Sequence, residues 1–106
     1  MDGAMQTVLR ELRSRFERLY GPRLVSLVLY GSQARGDAEP GSDIDLLVVL
    51  EGEVEPCSEI DRTIDDVAEL CLEQDVVVAC VFVSREQFER KQSPLLINVR
   101  REGVPV

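Results

Sequence analysis

The sequence contains no histidine. Ser-His and Cys-His nucleophilic pairs are therefore excluded, and so are zinc sites built on imidazole. Acid–base or metal chemistry falls to carboxylates, main chain and water. Lysine is nearly as scarce: of 12 basic residues only Lys91 is a lysine. Acidic residues number 20, giving a net charge of −8. A lysine-based patch to neutralise phosphates is missing, which argues against nonspecific nucleic-acid binding. A small anionic ligand held through a metal stays open. The three cysteines, Cys57, Cys71 and Cys80, are far apart and form no Cys-x-x-Cys spacing. They read as small buried hydrophobes in a reducing compartment. No apolar run approaches the roughly 20 residues of a membrane span. The opening stretch MDGAMQTVLRELRSRF is charged throughout, unlike a signal peptide. A cytoplasmic protein is expected.

What remains is an ordinary globular composition: 106 residues, 44% hydrophobic and 30% charged. That length predicts a single domain over residues 1–106, with a core that needs no disulfide or metal. Met5, Val8, Leu9, Leu12, Phe16 and Leu19 recur at three- and four-residue steps. They predict an amphipathic helix over 4–19, stopped near Gly21-Pro22. RLVSLVLY (23–30) and DIDLLVVL (43–50) read as buried strands, apolar on both faces. Between them lies the polar, turn-rich GDAEPGS. Ser58 and Asp61 predict a capping box for a second helix, with Ile60, Ile64, Val67, Ala68 and Cys71 as its apolar stripe. VVVACVFV (76–83) predicts a third strand. Ser84 with Gln87, and Ser93 with Pro94, predict two further helix starts, the last helix stopping at Gly103. The order α-β-β-α-β-α-α predicts an α/β domain in which one sheet carries packed helices.

Two aspartates stand at the mouth of the second strand. Asp43 and Asp45 are two apart, so in a strand they share a face, with Cα atoms roughly 6.5–7 Å apart. Ile44, Leu46 and Val48 then face the other side. Two like charges that close repel unless a cation separates them. A hard divalent cation such as Mg²⁺ resolves the conflict, since it takes carboxylate oxygens and keeps positions for phosphates. Gly31-Ser32 follows the first strand directly. Gly31 lets a phosphate approach the main chain, Ser32 offers a hydroxyl and an N–H, and QARG could form a helical turn whose N-terminus attracts anions. Neither a P-loop nor a GxGxxG fingerprint is present. Taken singly, Gly-Ser is a turn and Asp43 a strand-edge cap. Taken together between two buried strands, they favour a phosphate cradle facing metal ligands. Arg35 is as readily a surface ion pair as a phosphate contact.

Gly31, Ser32, Ala34, Arg35 and Gly36, followed by Ser42, Asp43, Asp45 and Leu46, resemble the signature of the minimal nucleotidyltransferases in the DNA-polymerase-beta-like superfamily. The tail RKQSPLLINVRREGV is similar to tails in that group. The resemblance implies a small mixed β-sheet flanked by helices. It implies that Gly31 and Ser32 hold nucleotide phosphates and that Asp43 and Asp45 bind Mg²⁺. It implies transfer of a nucleotidyl group from an NTP, such as ATP, to a hydroxyl acceptor, releasing pyrophosphate. Active members use a third carboxylate on the strand after the second helix. Here that position falls near Ala79, and the acid on offer is Asp75, four residues upstream. On strand parity Asp75 faces the same side as Ala79, but roughly 13 Å away along the chain.

Two functions follow. One is a Mg²⁺-dependent nucleotidyltransferase. The other is a degenerate member that binds nucleotide or a partner without catalysis. The family often pairs with a small helical HEPN-type protein, sometimes as toxin and antitoxin. The chain carries only the catalytic palm, so such a partner, or a homo-oligomer, is expected under either.

Overall fold

A computed structural model describes residues 3–36 and 43–106. Ser42 and the rest of the 37–42 turn stretch lie outside the described residues. Helix α1 spans Gly3–Tyr20, and a short 3-10 turn, Gly21–Arg23, leads into strand β1, Leu24–Tyr30. Then come α2 (Gly31–Arg35), β2 (Ile44–Leu50), α3 (Pro56–Gln74), β3 (Val78–Ser84), α4 (Arg85–Arg90), α5 (Pro94–Glu102) and β4 (Val104–Pro105). The strands form one mixed sheet in the order β3-β2-β1-β4. β2 runs antiparallel to β1 and parallel to β3, while β4 is antiparallel to β1. Among the described residues, no helix is long and apolar enough to cross a membrane.

The central strands are apolar on both faces because both are covered. Leu27, Leu29, Ile44, Leu46, Val48 and Leu50 pack with Leu12 and Phe16 of α1 and Leu70 of α3. Val28, Leu47 and Val49 pack on Leu96 and Val99 of α5. Each fully buried large side chain contributes roughly 1.5–3 kcal/mol. The alternation expected for β2 holds: Ile44, Leu46 and Val48 share the α1/α3 face, leaving Asp45 on the α5 side with Leu47 and Val49.

Two expectations for α3 need correction. Ser58 does not cap it. Glu55 does, its carboxylate accepting the Ser58 N–H at 2.9 Å, with Pro56 in the first turn. Proline there has its φ preset and lacks an N–H that would otherwise go unpaired, so the helix begins three residues earlier. The buried stripe is also different. Ile60 and Ile64 are 46% and 51% exposed, and Ala68 is exposed. Val67 and Cys71 pack only partly, and the fully buried positions are Glu59, Thr63 and Leu70. Polar partners set this rotation. Tyr20 donates its hydroxyl to Glu59 at 2.8 Å, and Thr63 donates to the Glu59 carbonyl at 2.9 Å. Arg15 of α1, itself buried, donates to the Asp66 carbonyl at 3.1 Å and to the Glu69 carboxylate at 3.0 Å. Hydrophobic periodicity cannot register a buried acid whose partners come from another helix.

The other caps form as expected. Ser84 and Gln87 make a reciprocal capping box on α4. The Ser93 hydroxyl accepts the Leu96 N–H, opening α5. β4 was not foreseen. It follows Gly103, where a Cβ would lie 2.4 Å from the Val99 carbonyl and 2.5 Å from Val28. Only glycine lets the chain turn off α5 closely enough to pair with β1. Pro105 lacks an N–H and is tolerated on this short edge strand.

Candidate active site

The antiparallel pairing of β1 with β2 brings the two halves of the motif together. Tyr30 pairs with Asp45, so Gly31-Ser32 leaves β1 beside the start of β2. Gly31 has φ of +75°, a conformation that side chains rarely adopt. A Cβ at Gly31 would stand 2.4 Å from the Asp45 carboxylate oxygen. Glycine is thus required twice, by the turn and by the carboxylate behind it. Gly31–Arg35 form the short helix α2, which Gly36 closes in a left-handed conformation.

Asp45 is half-buried and Asp43, just before the strand, is exposed. Burial raises the Asp45 carboxyl above the ordinary carboxylate range, the Asp43 charge raises it further, and Arg35 partly offsets both. The two acids therefore lie within electrostatic reach of each other, although Asp43 precedes the strand and does not stand in it as its spacing from Asp45 predicts. Burial, and then Asp45, also push the Tyr30 phenol up. Arg35 meets the Glu102 carboxylate of α5 at 3.4 Å, so its surface pair and its influence on Asp45 coexist. Among the described residues the site brings together two carboxylates, one of them crowded, and the shared Arg35. That donor set fits a hard divalent cation, which takes one or two carboxylates and completes its shell with phosphates. Among the described residues, no group of three or more acid or cysteine side chains is gathered for a metal.

On the other side of β2, the register pairs Asp45 with Ala79. The strand position beside the acid pair thus carries a methyl group. Asp75 does not open β3, contrary to expectation. It ends α3 as a left-handed cap, with φ of 53°, and its N–H donates to the Cys71 carbonyl. β3 begins only at Val78, so strand parity does not extend back to Asp75 and does not place it on the Ala79 face. Sequence reading missed Tyr30 and Glu102 as neighbours of the site. Tyr30 was within reach, being the residue before Gly31 on a strand whose pairing could be guessed. Glu102 lies 67 residues from Arg35, and only the packing of α5 beside α2 reveals it.

A four-stranded mixed sheet with a Gly-Ser turn set against an aspartate pair defines a nucleotidyltransferase palm. The chain belongs to the nucleotidyltransferase domain family, whose model matches residues 9–105. It is 34% identical over 86 residues to a candidate protein adenylyltransferase of Methanocaldococcus jannaschii, covering 81% of this chain and 80% of that protein. It aligns with a solved minimal nucleotidyltransferase at a TM-score of 0.60 and 28% identity, covering 100% of this chain and 97% of the other. It also shares its fold with a complex of a tri-AMPylated Shewanella oneidensis HEPN toxin and an MNT antitoxin. There the TM-score is 0.53 and the identity 19%, over 96% of this chain and 67% of that one. The chain is a nucleotidyltransferase of the minimal type.

Proposed function

We propose that this protein transfers an adenylyl group from Mg²⁺-bound ATP to a hydroxyl on a partner protein. The reading is carried by one juxtaposition, Gly31 set directly against the Asp45 carboxylate. The main chain at Gly31 and the Ser32 hydroxyl bind phosphate oxygens, and the bare Cα leaves room for their approach. Asp43 and Asp45 hold the metal through hard oxygen donors. When bound, the metal offsets charge on the triphosphate and activates the attacking oxygen. Arg35 supplies a further positive charge at the phosphates, oriented by Glu102. The acceptor oxygen attacks the α-phosphorus, the bond to the bridging oxygen breaks, and pyrophosphate leaves. The name of the Methanocaldococcus relative supports adenylyl as the group transferred. The AMPylated toxin in the Shewanella complex supports a HEPN-type protein as the acceptor, in a toxin–antitoxin setting.

A second reading is a module that binds nucleotide and partner without turnover. Ala79 opposite Asp45, with Asp75 on a helix cap, favours it. Asp75 acts as third carboxylate only if a partner draws it to the site. The test is incubation of the full chain with labelled ATP, Mg²⁺ and a HEPN-type partner, followed by intact-mass measurement. An added adenylyl group, lost with Asp45→Asn, is the expected result. Bound ATP without any mass increase points to the second reading, and absence of both rejects the site.

A further inference from the structure

β3 ends the sheet, and among the described residues no strand pairs with its outer side. The Ile44 N–H bonds to the Val77 carbonyl at 2.8 Å, so main-chain groups of Val77, and by alternation Ala79 and Val81, turn toward β2. Those of Val78, Cys80 and Phe82 turn outward. Natural sheet edges are usually blunted by lysine, proline or inward charge. The stretch from Val78 to Val83 has none of these.

The flank of α3 above this edge is equally uncovered. Asp66, Glu69 and Glu73 meet Arg15 of α1, so they mark the side of α3 that faces α1. At 3.6 residues per turn, Ile60, Ile64 and Ala68 fall on the opposite side. Val67 of α3 and Val78 and Cys80 of β3 pack against one core cluster, so the flank of α3 turned away from α1 overlooks the outer edge of β3. Ile60 and Ile64 are 46% and 51% exposed, and Val77, just before the edge strand, is 57% exposed. Asp61 and Asp65, both exposed, border the apolar strip.

We infer that the β3 edge and the Ile60–Ile64 flank of α3 together take up an extended, basic segment of a partner protein as an added strand. Main-chain bonding would supply affinity, and of the alternating side chains the set on the α3 face would meet the isoleucines and, at their border, the aspartates. Charge selects the occupant. A second copy would set another Asp61 and Asp65 against the first and join a net −8 to a net −8. A segment whose α3-facing side chains include both apolar residues and an arginine or lysine satisfies both the strip and its acidic border. Because Ala79 pairs with Asp45, the added strand lies two strand spacings, roughly 10 Å, from that carboxylate. The surface itself does not depend on the transfer reaction.

The test uses the full chain and two short synthetic peptides in which pairs of valines alternate with pairs of arginines or pairs of glutamates, so that each strand face carries both kinds of residue. Binding is followed by amide hydrogen exchange. The valine–arginine peptide should slow exchange at Val78, Cys80 and Phe82, and the valine–glutamate peptide should not. Ile64→Asp should weaken binding by about tenfold or more, with an unchanged melting temperature. Asp45→Asn should bind as wild type does, which separates failure of this surface from failure of the active site. Three results overturn the inference: no binding of the arginine peptide, binding without protection of those amides, or a wild-type dimer in sedimentation that Ile64→Asp splits.

Discussion

Glu59 and Asp45 are both acids withdrawn from water, and they are treated in opposite ways. Glu59 is 3% exposed and surrounded by groups that want its charge. Tyr20 donates to it at 2.8 Å, and Arg23 and Arg62 approach it at 3.8 and 3.7 Å. The same two arginines lie over the Tyr20 ring at 5.7 and 5.6 Å. Asp45 is less buried, yet burial and the Asp43 charge both raise its carboxyl, and Arg35, which partly offsets them, also serves Glu102. A buried acid with its partners supplied is part of the fold. A crowded acid with a glycine set directly against it is the feature on which the proposed cation site rests.

The sharpest break in this contrast should come at Asp45. Asp45→Asn should lower nucleotidyl transfer by about 10²-fold or more, since one metal-binding oxygen set is lost from the reacting centre. The metal-free melting temperature should stay or rise, because like-charge repulsion is relieved. Activity assays beside thermal melts decide. A variant that unfolds would place Asp45 with Glu59 as a structural acid.

The converse holds at Glu59. Glu59→Ala strands the Tyr20 hydroxyl and leaves two arginines crowded over one ring. Loss of one partner from a buried ionic network costs about 3–5 kcal/mol, here toward the lower end because both arginines reach water. Glu59→Gln, which keeps an acceptor for Tyr20, should recover part of that. Urea denaturation of the three proteins, with transfer activity measured below the transition, checks both statements. Equal stability of the alanine variant would mean that Glu59 is held in place rather than holding.

The contrast also marks what could be read from the chain alone. The Asp43/Asp45 pair was legible because two carboxylates at strand spacing break a local rule, and rules are broken where function needs it. The Gly31 turn was legible for the same reason. Glu59 was not, because an acid in a charged helix reads as surface until Tyr20 is folded against it. That blindness produced the misplaced stripe on α3: Ile60 and Ile64 were assigned inward, whereas polar contacts turned them outward. Asp75 misled differently. It precedes an apolar run and so resembles a strand residue, but its left-handed conformation belongs to the helix end. Register, which pairs Ala79 with Asp45, is a property of two strands and cannot be read from one.

Gly31 sharpens the comparison at smaller cost. Gly31→Ala forces a side chain into a positive φ and against the Asp45 oxygen. The strained conformation alone costs about 1–2 kcal/mol. Asp45 must also move, so ATP binding should fall more than stability suggests. Ser32→Ala, which removes one hydroxyl contact, should cost about 0.5–1.5 kcal/mol of binding and no stability. Calorimetric titration orders the two. A serine change that harms binding more than the glycine change would contradict the cradle.

The smallest effect belongs to a third buried group, one with no cationic partner. Burial, and secondarily Cys71, push the Cys80 thiol up from its ordinary value near 9 to about 12. A folded pKa above the unfolded one means that the folded state keeps a proton the unfolded state releases. The stability so gained is intact below pH 9 and is lost as pH rises toward 12. Near neutrality Cys80→Ala should show no pH-dependent difference from wild type. At pH 10 the unfolded thiol is mostly ionised and the folded one is not, so the wild type should have lost about 1.4 kcal/mol through this group, and the variant none of that. Urea titrations of both proteins at pH 7 and pH 10 give the difference directly. Exposed Cys57 offers a second readout, since in the folded protein it should react with an alkylating reagent well before the half-buried Cys80. Cys80 alkylated as fast as Cys57 at pH 8 would show that the β3 edge opens in solution.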